Sequence, residues 1–117
     1  MIQVTPHMRV LVAREPLDFR TRIDGTAAAC RNVLQKSPIS GTIFVFRNRA
    51  ATMIRLLVYD GQGFWVATKR LSKGRFRFWC PSGESPAQAI AAHQLQTLVV
   101  GGNFNQVTAA SQWKPVG

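Results

Sequence analysis

Acidic, sulfur-containing and imidazole side chains are scarce in this sequence, and each shortage argues against a class of site. Five Asp and Glu, two Cys and two His are present among 117 residues. Cys30 and Cys80 lie far apart and outside any CxxC pair, and neither His7 nor His93 is spaced as a ligand beside them. A structural zinc site normally takes four ligands in close pairs. We therefore expect two reduced, buried thiols, no metal and no cofactor.

Long apolar runs are also missing. The longest unbroken stretches, such as Ile43–Phe46, have the length of a strand and fall far short of a bilayer span. Pro6, His7 and Arg9 interrupt the N-terminus early, which leaves no apolar signal core. These features predict a cytoplasmic protein that does not act at a membrane.

The few carboxylates do not form a pattern that predicts catalysis. Asp60 lies in a Gly-rich turn and Asp18 at an expected helix cap, where Asp serves the backbone, and Glu84 lies in an expected loop. A two-metal site for cutting DNA needs several convergent carboxylates. No nucleophile signature is present, and Gly61-Gln62-Gly63 lacks the Lys and the helix that follow in a phosphate-binding loop. We expect a protein that is not an enzyme.

Positive charge, in contrast, is abundant and concentrated in one region. Fifteen Lys and Arg give a formal net charge of +10. Residues 47–77 hold eight of these basic side chains and a single acid, Asp60. Most of the basic residues are Arg, whose planar fork suits phosphate oxygens. This excess favours a polyanionic partner such as DNA, and an ordinary solvated basic face is the alternative interpretation.

Alternating apolar residues predict five short strands joined mainly by tight links, and hence an α+β fold with a mostly antiparallel sheet. Thr42–Asn48 is apolar on both alternating sets, which predicts a central strand buried on both faces. Asp60–Gly63 supplies residues that tolerate positive φ and predicts a hairpin connection. The five predicted strands are Met8–Ala13, Thr42–Asn48, Met53–Tyr59, Phe64–Lys69 and Arg75–Cys80.

Two helices are expected to flank this sheet, mainly on one face. Apolar residues at three- and four-residue spacing predict the first over Asp18–Gln35, and Ser85 as N-cap with Pro86 predicts the second over Pro86–Val100. Residues 1–102 would form a single domain, and residues 103–117 a loosely ordered tail. We expect one shared core made of these residues: Ile23, Leu34, Phe44, Phe46, Ile54, Leu56, Phe76 and Phe78.

The candidate binding surface centres on the last predicted strand. Alternation places Arg75, Arg77 and Trp79 on one side of it, with the two guanidinium groups about 7 Å apart, close to the spacing of successive phosphates. Trp79 has two interpretations, a platform for a base or a cover for the sheet edge. The full candidate set is Arg47, Arg49, Lys69, Arg70, Lys73, Arg75, Arg77 and Trp79.

At these same positions the chain resembles a known family, the small second-frame accessory proteins, often called TnpB, of the sixty-six family of bacterial insertion sequences. The resemblance runs in order from about Arg9 to Gly102, and it departs from the family pattern at Ala50–Thr52 and Gly102–Phe104. The matching pieces are Asp18–Arg20, Asp24-Gly25, Pro38–Gly41, Phe44–Arg49, Tyr59–Phe64, Lys69–Leu71, Gly74–Phe76, Gln94–Leu98 and Gly101.

The resemblance implies a protein that is encoded beside a separate transposase, supports its activity and has no catalytic residues of its own. Two hypotheses follow for the molecular role. In the first, the basic β surface binds the DNA backbone. In the second, the protein docks on the transposase of the same element without touching DNA.

Overall fold

The computed structural model describes residues 7–81 and 83–106, and in them a five-stranded sheet lies between two helices. The strands are β1 (Val10–Ala13), β2 (Ile43–Arg47), β3 (Met53–Tyr59), β4 (Phe64–Arg70) and β5 (Ala87–Ile90). The helices are α1 (Ile23–Asn32) and α2 (Ala92–Val99), with a 3-10 turn at Phe104–Gln106. The predicted α+β class is confirmed.

The sheet has the order β4-β3-β2-β1-β5 and is mixed. Three of its neighbouring pairs are antiparallel, as predicted, whereas β1 and β2 run parallel with Val10 opposite Ile43. A parallel pair needs a crossover connection. The long segment between β1 and β2, which contains α1, provides that crossover.

Each face of the sheet has its own core, so the prediction of one shared core below helices on one side was wrong. β2, which is apolar on both alternating sets, is buried on both faces, as its sequence predicts. Phe44 and Phe46 pack with Cys30 and Leu34 from the α1 region, which defines the α1 face. On the opposite α2 face, α2 and Phe104 pack against the remaining apolar side chains of the strands, including Val45 and Ile54.

Six of the eight predicted core residues lie in these two cores or against them. Phe44, Phe46 and Leu34 belong to the α1 face, and Ile54, Leu56 and Phe76 to the α2 face. Ile23 and Phe78 are each about 41% exposed and were predicted wrongly. Ile23 starts α1, and Phe78 falls in a segment whose alternation breaks down.

That segment, Arg75–Cys80, is not a strand. It crosses the end of the sheet on the α2 face, because β4 lies at one edge and the next strand, β5, at the other. The N–H of Phe76 donates to the carbonyl of Ala51 at 2.7 Å, and the indole N–H of Trp79 donates to the carbonyl of Ala13 at 2.8 Å. The chain thus passes from the end of β4, past the turn before β3, to the end of β1 without pairing along any strand.

The fifth strand instead occupies the start of the predicted second helix. Ala87–Ile90 pairs with β1, and α2 begins only at Ala92. The N-terminal cap is Ala91, whose N–H donates to the Oε1 of Gln94 at 2.7 Å, and not the predicted Ser85. The predicted first helix is likewise shortened at both ends, to Ile23–Asn32.

Two further expectations concern the cysteines and the C-terminal residues. Both cysteines are free thiols, as predicted, but only Cys30 is fully buried and Cys80 is half-buried. Burial raises the pKa of Cys30 to about 12 and that of Cys80 to about 11. Phe104, expected in a loose tail, is fully buried against α2. The rest of the predicted tail, from residue 107 onward, lies outside the described residues.

Candidate nucleic-acid interface

Five exposed basic residues lie on the turn before β3, at the end of β4 and on the segment that follows β4, all at one end of the sheet. β2 and β4 end there and β3 begins there, because β3 runs antiparallel to both of its neighbours. The turn between β2 and β3 and the crossing segment that follows β4 meet at this end, where the N–H of Leu71 donates to the carbonyl of Thr52. We call this group the basic cluster, and it consists of Arg49, Arg70, Lys73, Arg75 and Arg77.

All five members of the basic cluster are exposed. Within the described part of the chain, none of their charged groups has a hydrogen bond or ion pair with another residue. The alternation expected around Phe76 holds locally, since Phe76 is 4% exposed while its neighbours Arg75 and Arg77 point outward. The cluster therefore presents unneutralised cations to solvent, and they can bind an external anion without first breaking an internal contact.

A tight turn positions Arg49 in this cluster. The side-chain oxygen of Asn48 accepts hydrogen bonds from the N–H groups of Thr52 and Met53 at 2.9 and 3.0 Å, which closes the turn. Ala51 completes it with φ of +59°, an unusual conformation for a residue other than Gly. The carbonyl of Ala51 in turn holds the crossing segment at Phe76.

Three of the eight candidates have side-chain contacts within the fold and are not counted in the basic cluster. The guanidinium of Arg47 is 5.8 Å from the centre of the half-buried Trp79 ring, and its Nη1 donates to the carbonyls of Asn48 and Arg49. Trp79 packs against the core of the α2 face and donates to Ala13, so its position fits the edge-covering interpretation. Lys69 projects onto the α2 face, where its Nζ donates to the carbonyl of Val99 at the end of α2.

Arg55, one of the eight basic residues of 47–77, is a structural residue. Its Nη1 donates to the carbonyl of Thr21 at 2.9 Å and to the Oγ1 of Thr26 at 3.0 Å, and its Nη2 donates to the carbonyl of Phe19 at 3.0 Å. Its guanidinium carbon is 4.5 Å from the centre of the Phe19 ring. Partial burial lowers its pKa from the ordinary value. A basic residue in the middle of an otherwise apolar strand was the available sequence signal.

Arg14 has a comparable role on the other side of the sheet. Its side chain donates to the carbonyl of Ser85 at 2.8 Å and to that of Pro81 at 2.5 Å, which fixes the end of the crossing segment beside β1. Glu15 and Glu84 line a shallow pocket with Arg14 on this β1–β5 side. These two acids therefore lie beside Arg14 and Arg47, at the β1–β5 edge of the sheet.

A wide cleft of about 650 Å³ adjoins the cluster at Arg49. Its far wall is the loop after β1, where Asp18 and Arg20 form an ion pair at 2.7 Å that holds the pKa of Asp18 at about 2. The Asp18 charge is thus already balanced within the loop. The cleft is lined by Pro16, Leu17, Asp18, Phe19, Arg20, Asn48, Arg49 and Met53.

Neither a metal-ion cluster nor a membrane helix is found in residues 7–81 and 83–106. No three His, Cys, Asp or Glu side chains in these ranges are close enough together to hold a metal ion. No helix in the same ranges is both long and apolar enough to cross a bilayer.

The fold and its charge define a small α+β protein with an unneutralised basic cluster at one end of a mixed sheet. Residues 8–109 match the family described as IS66 Orf2 like protein, and the chain belongs to this family. The resemblance identified from the sequence is thereby confirmed, and it associates the chain with insertion sequences in an accessory role.

Two relatives from Sinorhizobium fredii (strain NBRC 101917 / NGR234) are similar over nearly their whole length. The uncharacterized protein y4hO is 35% identical over 115 residues, which cover 98% of this chain and 96% of the relative. The uncharacterized protein y4jC is 33% identical over 107 residues, covering 92% and 90%. No solved structure matches the chain significantly.

Proposed function

We propose that this chain is a non-catalytic accessory protein of insertion-sequence transposition that binds DNA through the phosphate backbone. The observation that carries the proposal is the basic cluster, five exposed cations at one end of the sheet without internal partners among the described residues. Binding to the phosphate backbone of DNA requires cations that are accessible and not already neutralised. Family membership provides the context of transposition.

The arrangement favours binding without base reading. Four cluster residues are on loops, namely Arg49, Lys73, Arg75 and Arg77, and Arg70 ends an edge strand. Long cationic side chains on such elements reach phosphate oxygens, whereas sequence reading requires a helix or ribbon that enters a groove. We therefore propose similar affinity for element ends and for unrelated DNA of the same length.

The test is DNA binding measured by fluorescence anisotropy as a function of salt concentration. If each cluster residue neutralises one phosphate, removing two of them with Arg75→Ala and Arg77→Ala lowers the slope of log K against log salt by about 1.8. The loss should be equal on element-end and random duplexes, because phosphate contacts carry no sequence information.

A matched control keeps the net charge change identical. Arg9 and Arg31 are also exposed, but Arg9 precedes β1 at the opposite end of the sheet, and Arg31 is on α1, across the sheet from the crossing segment. The double variant Arg9→Ala with Arg31→Ala should leave the slope nearly unchanged. Equal losses in the two double variants would show that net charge matters and the cluster does not.

The competing role, docking on the transposase of the same element, predicts a different result for the same variants. Arg75→Ala with Arg77→Ala would then leave DNA affinity and slope unchanged and abolish capture of the purified transposase. For catalysis, we expect the purified protein with Mg²⁺ or Mn²⁺ neither to nick nor to join DNA.

A further inference from the structure

The outer edge of β4 is open. β4 is the last strand on its side of the sheet, and its residues from Ala67 to Arg70 are all exposed. In the part of the chain that the structure describes, no backbone hydrogen bond reaches this outer edge. An edge of seven residues without cover is a template for pairing with another strand.

The direction of the backbone groups along β4 follows from the hydrogen bonds at its two ends. The N–H of Asp60 donates to the carbonyl of Gly63, and the N–H of Leu71 donates to that of Thr52. In an antiparallel pair, the N–H and C=O groups of successive residues point alternately toward the partner strand and away from it. Gly63 and Leu71 bond to the β3 side, so the backbone groups of the odd-numbered residues of β4 point toward β3. The residues whose backbone N–H and C=O groups point away from β3 are Phe64, Val66, Thr68 and Arg70.

The side chains of β4 divide the strand into an aromatic half and a basic half. Phe64 and Trp65 begin it, and the indole N–H of Trp65 donates to the Asp60 carboxylate at 2.7 Å. Lys69 and Arg70 end it. One end of the edge therefore carries aromatic rings with a carboxylate, and the other end carries two cations.

We propose that two copies of this chain pair through their β4 edges, antiparallel about a two-fold axis at Ala67. In this register all seven residues are paired, and the outward-facing groups form up to about eight backbone hydrogen bonds between the copies. Lys69, whose Nζ also donates to Val99 of its own copy, lies opposite Trp65 of the second copy, and Arg70 lies opposite Phe64. The Arg70 cation, unpaired among the described residues, thus meets an aromatic ring, and no two cations of the strands lie directly opposite each other.

The occupant is a second copy because this edge is complementary to itself. Moving the two-fold axis two residues toward the basic half, from Ala67 to Lys69, would place the Lys69 side chains of both copies opposite each other. Moving the axis by two residues in either direction would also leave fewer residues of β4 paired. An isologous contact also closes after two copies, so it does not propagate into a fibre.

The two copies together form a continuous ten-stranded sheet. Because the paired β4 strands run antiparallel, the two basic clusters lie at opposite ends of the sheet along the strand direction. Their mutual repulsion is therefore weakened by distance and salt. If the proposed DNA binding also holds, the dimer presents two separate DNA-binding ends. That consequence rests on the proposed function, whereas the pairing itself does not.

Sedimentation velocity of the nuclease-treated full chain, without DNA, tests the pairing. We expect twice the monomer mass at high concentration, and at least tenfold weaker association for Thr68→Pro. The N–H of Thr68 points away from β3, so this Pro blocks the outer edge without removing a hydrogen bond within the sheet. Thr68→Ser is the matched control and should associate like wild type.

Disulfide trapping fixes the register and covers the case in which Thr68→Pro does not fold. At the two-fold axis the Ala67 Cα atoms should be about 4.5 Å apart, whereas those of Thr68 should be about 8 Å apart, beyond disulfide reach. Mild oxidation should therefore link Ala67→Cys into dimers and leave Thr68→Cys and wild type unlinked. A wild-type monomer at all concentrations, or a dimer that Ala67→Cys does not trap, would overturn the proposal.

Discussion

Replacing Arg55 with Met should destabilise the protein without touching the basic cluster. The Arg55 guanidinium binds the carbonyls of Phe19 and Thr21 and the hydroxyl of Thr26, and it stacks on the Phe19 ring. These contacts fix the loop after β1 and the start of α1 against β3. Met occupies much of the volume of the Arg stem but cannot donate a hydrogen bond.

The size of the effect follows from the three acceptors. A hydrogen bond from a charged donor contributes about 1.5–3 kcal/mol, and the ring contact adds about 0.5–1 kcal/mol. The loop carbonyls of Phe19 and Thr21 are near the surface and regain water in the variant, which offsets part of this loss. We expect the free energy of unfolding to fall by about 3 kcal/mol, equivalent to a Tm lower by roughly 10 °C for a domain of this size.

Thermal unfolding followed by circular dichroism measures this change, and limited trypsin digestion locates it. The variant should be cleaved faster after Arg20 and Arg22, because its loop is no longer held. Arg55→Lys should fall between Met and wild type, since an ammonium cannot bind all three acceptors. Arg31→Met, at an exposed position, should change stability by less than about 0.5 kcal/mol. A Tm for Arg55→Met within about 2 °C of wild type would refute the reasoning.

Two further predictions concern a turn and an ion pair. Ala51→Gly should raise the free energy of unfolding by about 0.5–1 kcal/mol in urea titration, because Ala51 has φ of +59° and Gly adopts this region without a Cβ clash. The pKa of Asp18, lowered from 3.8 to about 2 by Arg20, means that the stability it contributes is present above pH 4 and lost as the pH falls toward 2. Asp18→Asn should therefore lose less stability than wild type over that interval, and an unchanged acid titration would contradict this.

The central part of the sheet could be predicted from sequence because its determinants are local. β3 has the predicted bounds, β2 is one residue shorter than predicted at each end, and β4 is one residue longer at its C-terminal end. Alternation, the buried pattern of β2 and the Asp60–Gly63 turn are all encoded within a few residues. Nothing in such a pattern identifies the distant partner of a strand.

That limit explains the wrong fifth strand. Arg75–Cys80 has the aromatic and basic alternation of an edge strand, but it has to cross the sheet from β4 toward β1 and pairs with neither. Ala87–Ile90 has weak β propensity and follows a helix-cap signal, yet it pairs with β1 through a contact more than seventy residues away in sequence. Long-range pairing overrode local preference in both segments.

The candidate surface was predictable in composition but not in detail. The density of basic residues in the sequence predicted that the loops around Arg49 and Lys73 belong to the binding surface. Both side chains are exposed, and both loops lie at the end of the sheet where β4 ends. The contacts that separate Lys69 and Trp79 from them involve Val99 and Ala13, which are remote in sequence. Only the folded chain brings such acceptors within reach.

The shortage of acids, the first feature of the sequence, explains how arginine is used in this protein. Arg14, Arg47 and Arg55 have no carboxylate partner and instead bind backbone carbonyls, and the only ion pair found in the described residues joins Arg20 to Asp18. A carbonyl satisfies the donors of a guanidinium but does not cancel its charge. The structural arginines therefore still contribute to the long-range positive potential that steers a polyanion toward the molecule. Replacing them with neutral residues would weaken both that potential and the fold. A loss of DNA binding in such variants can therefore be attributed to the lost surface charge only when variant and wild type are compared under conditions in which both are fully folded.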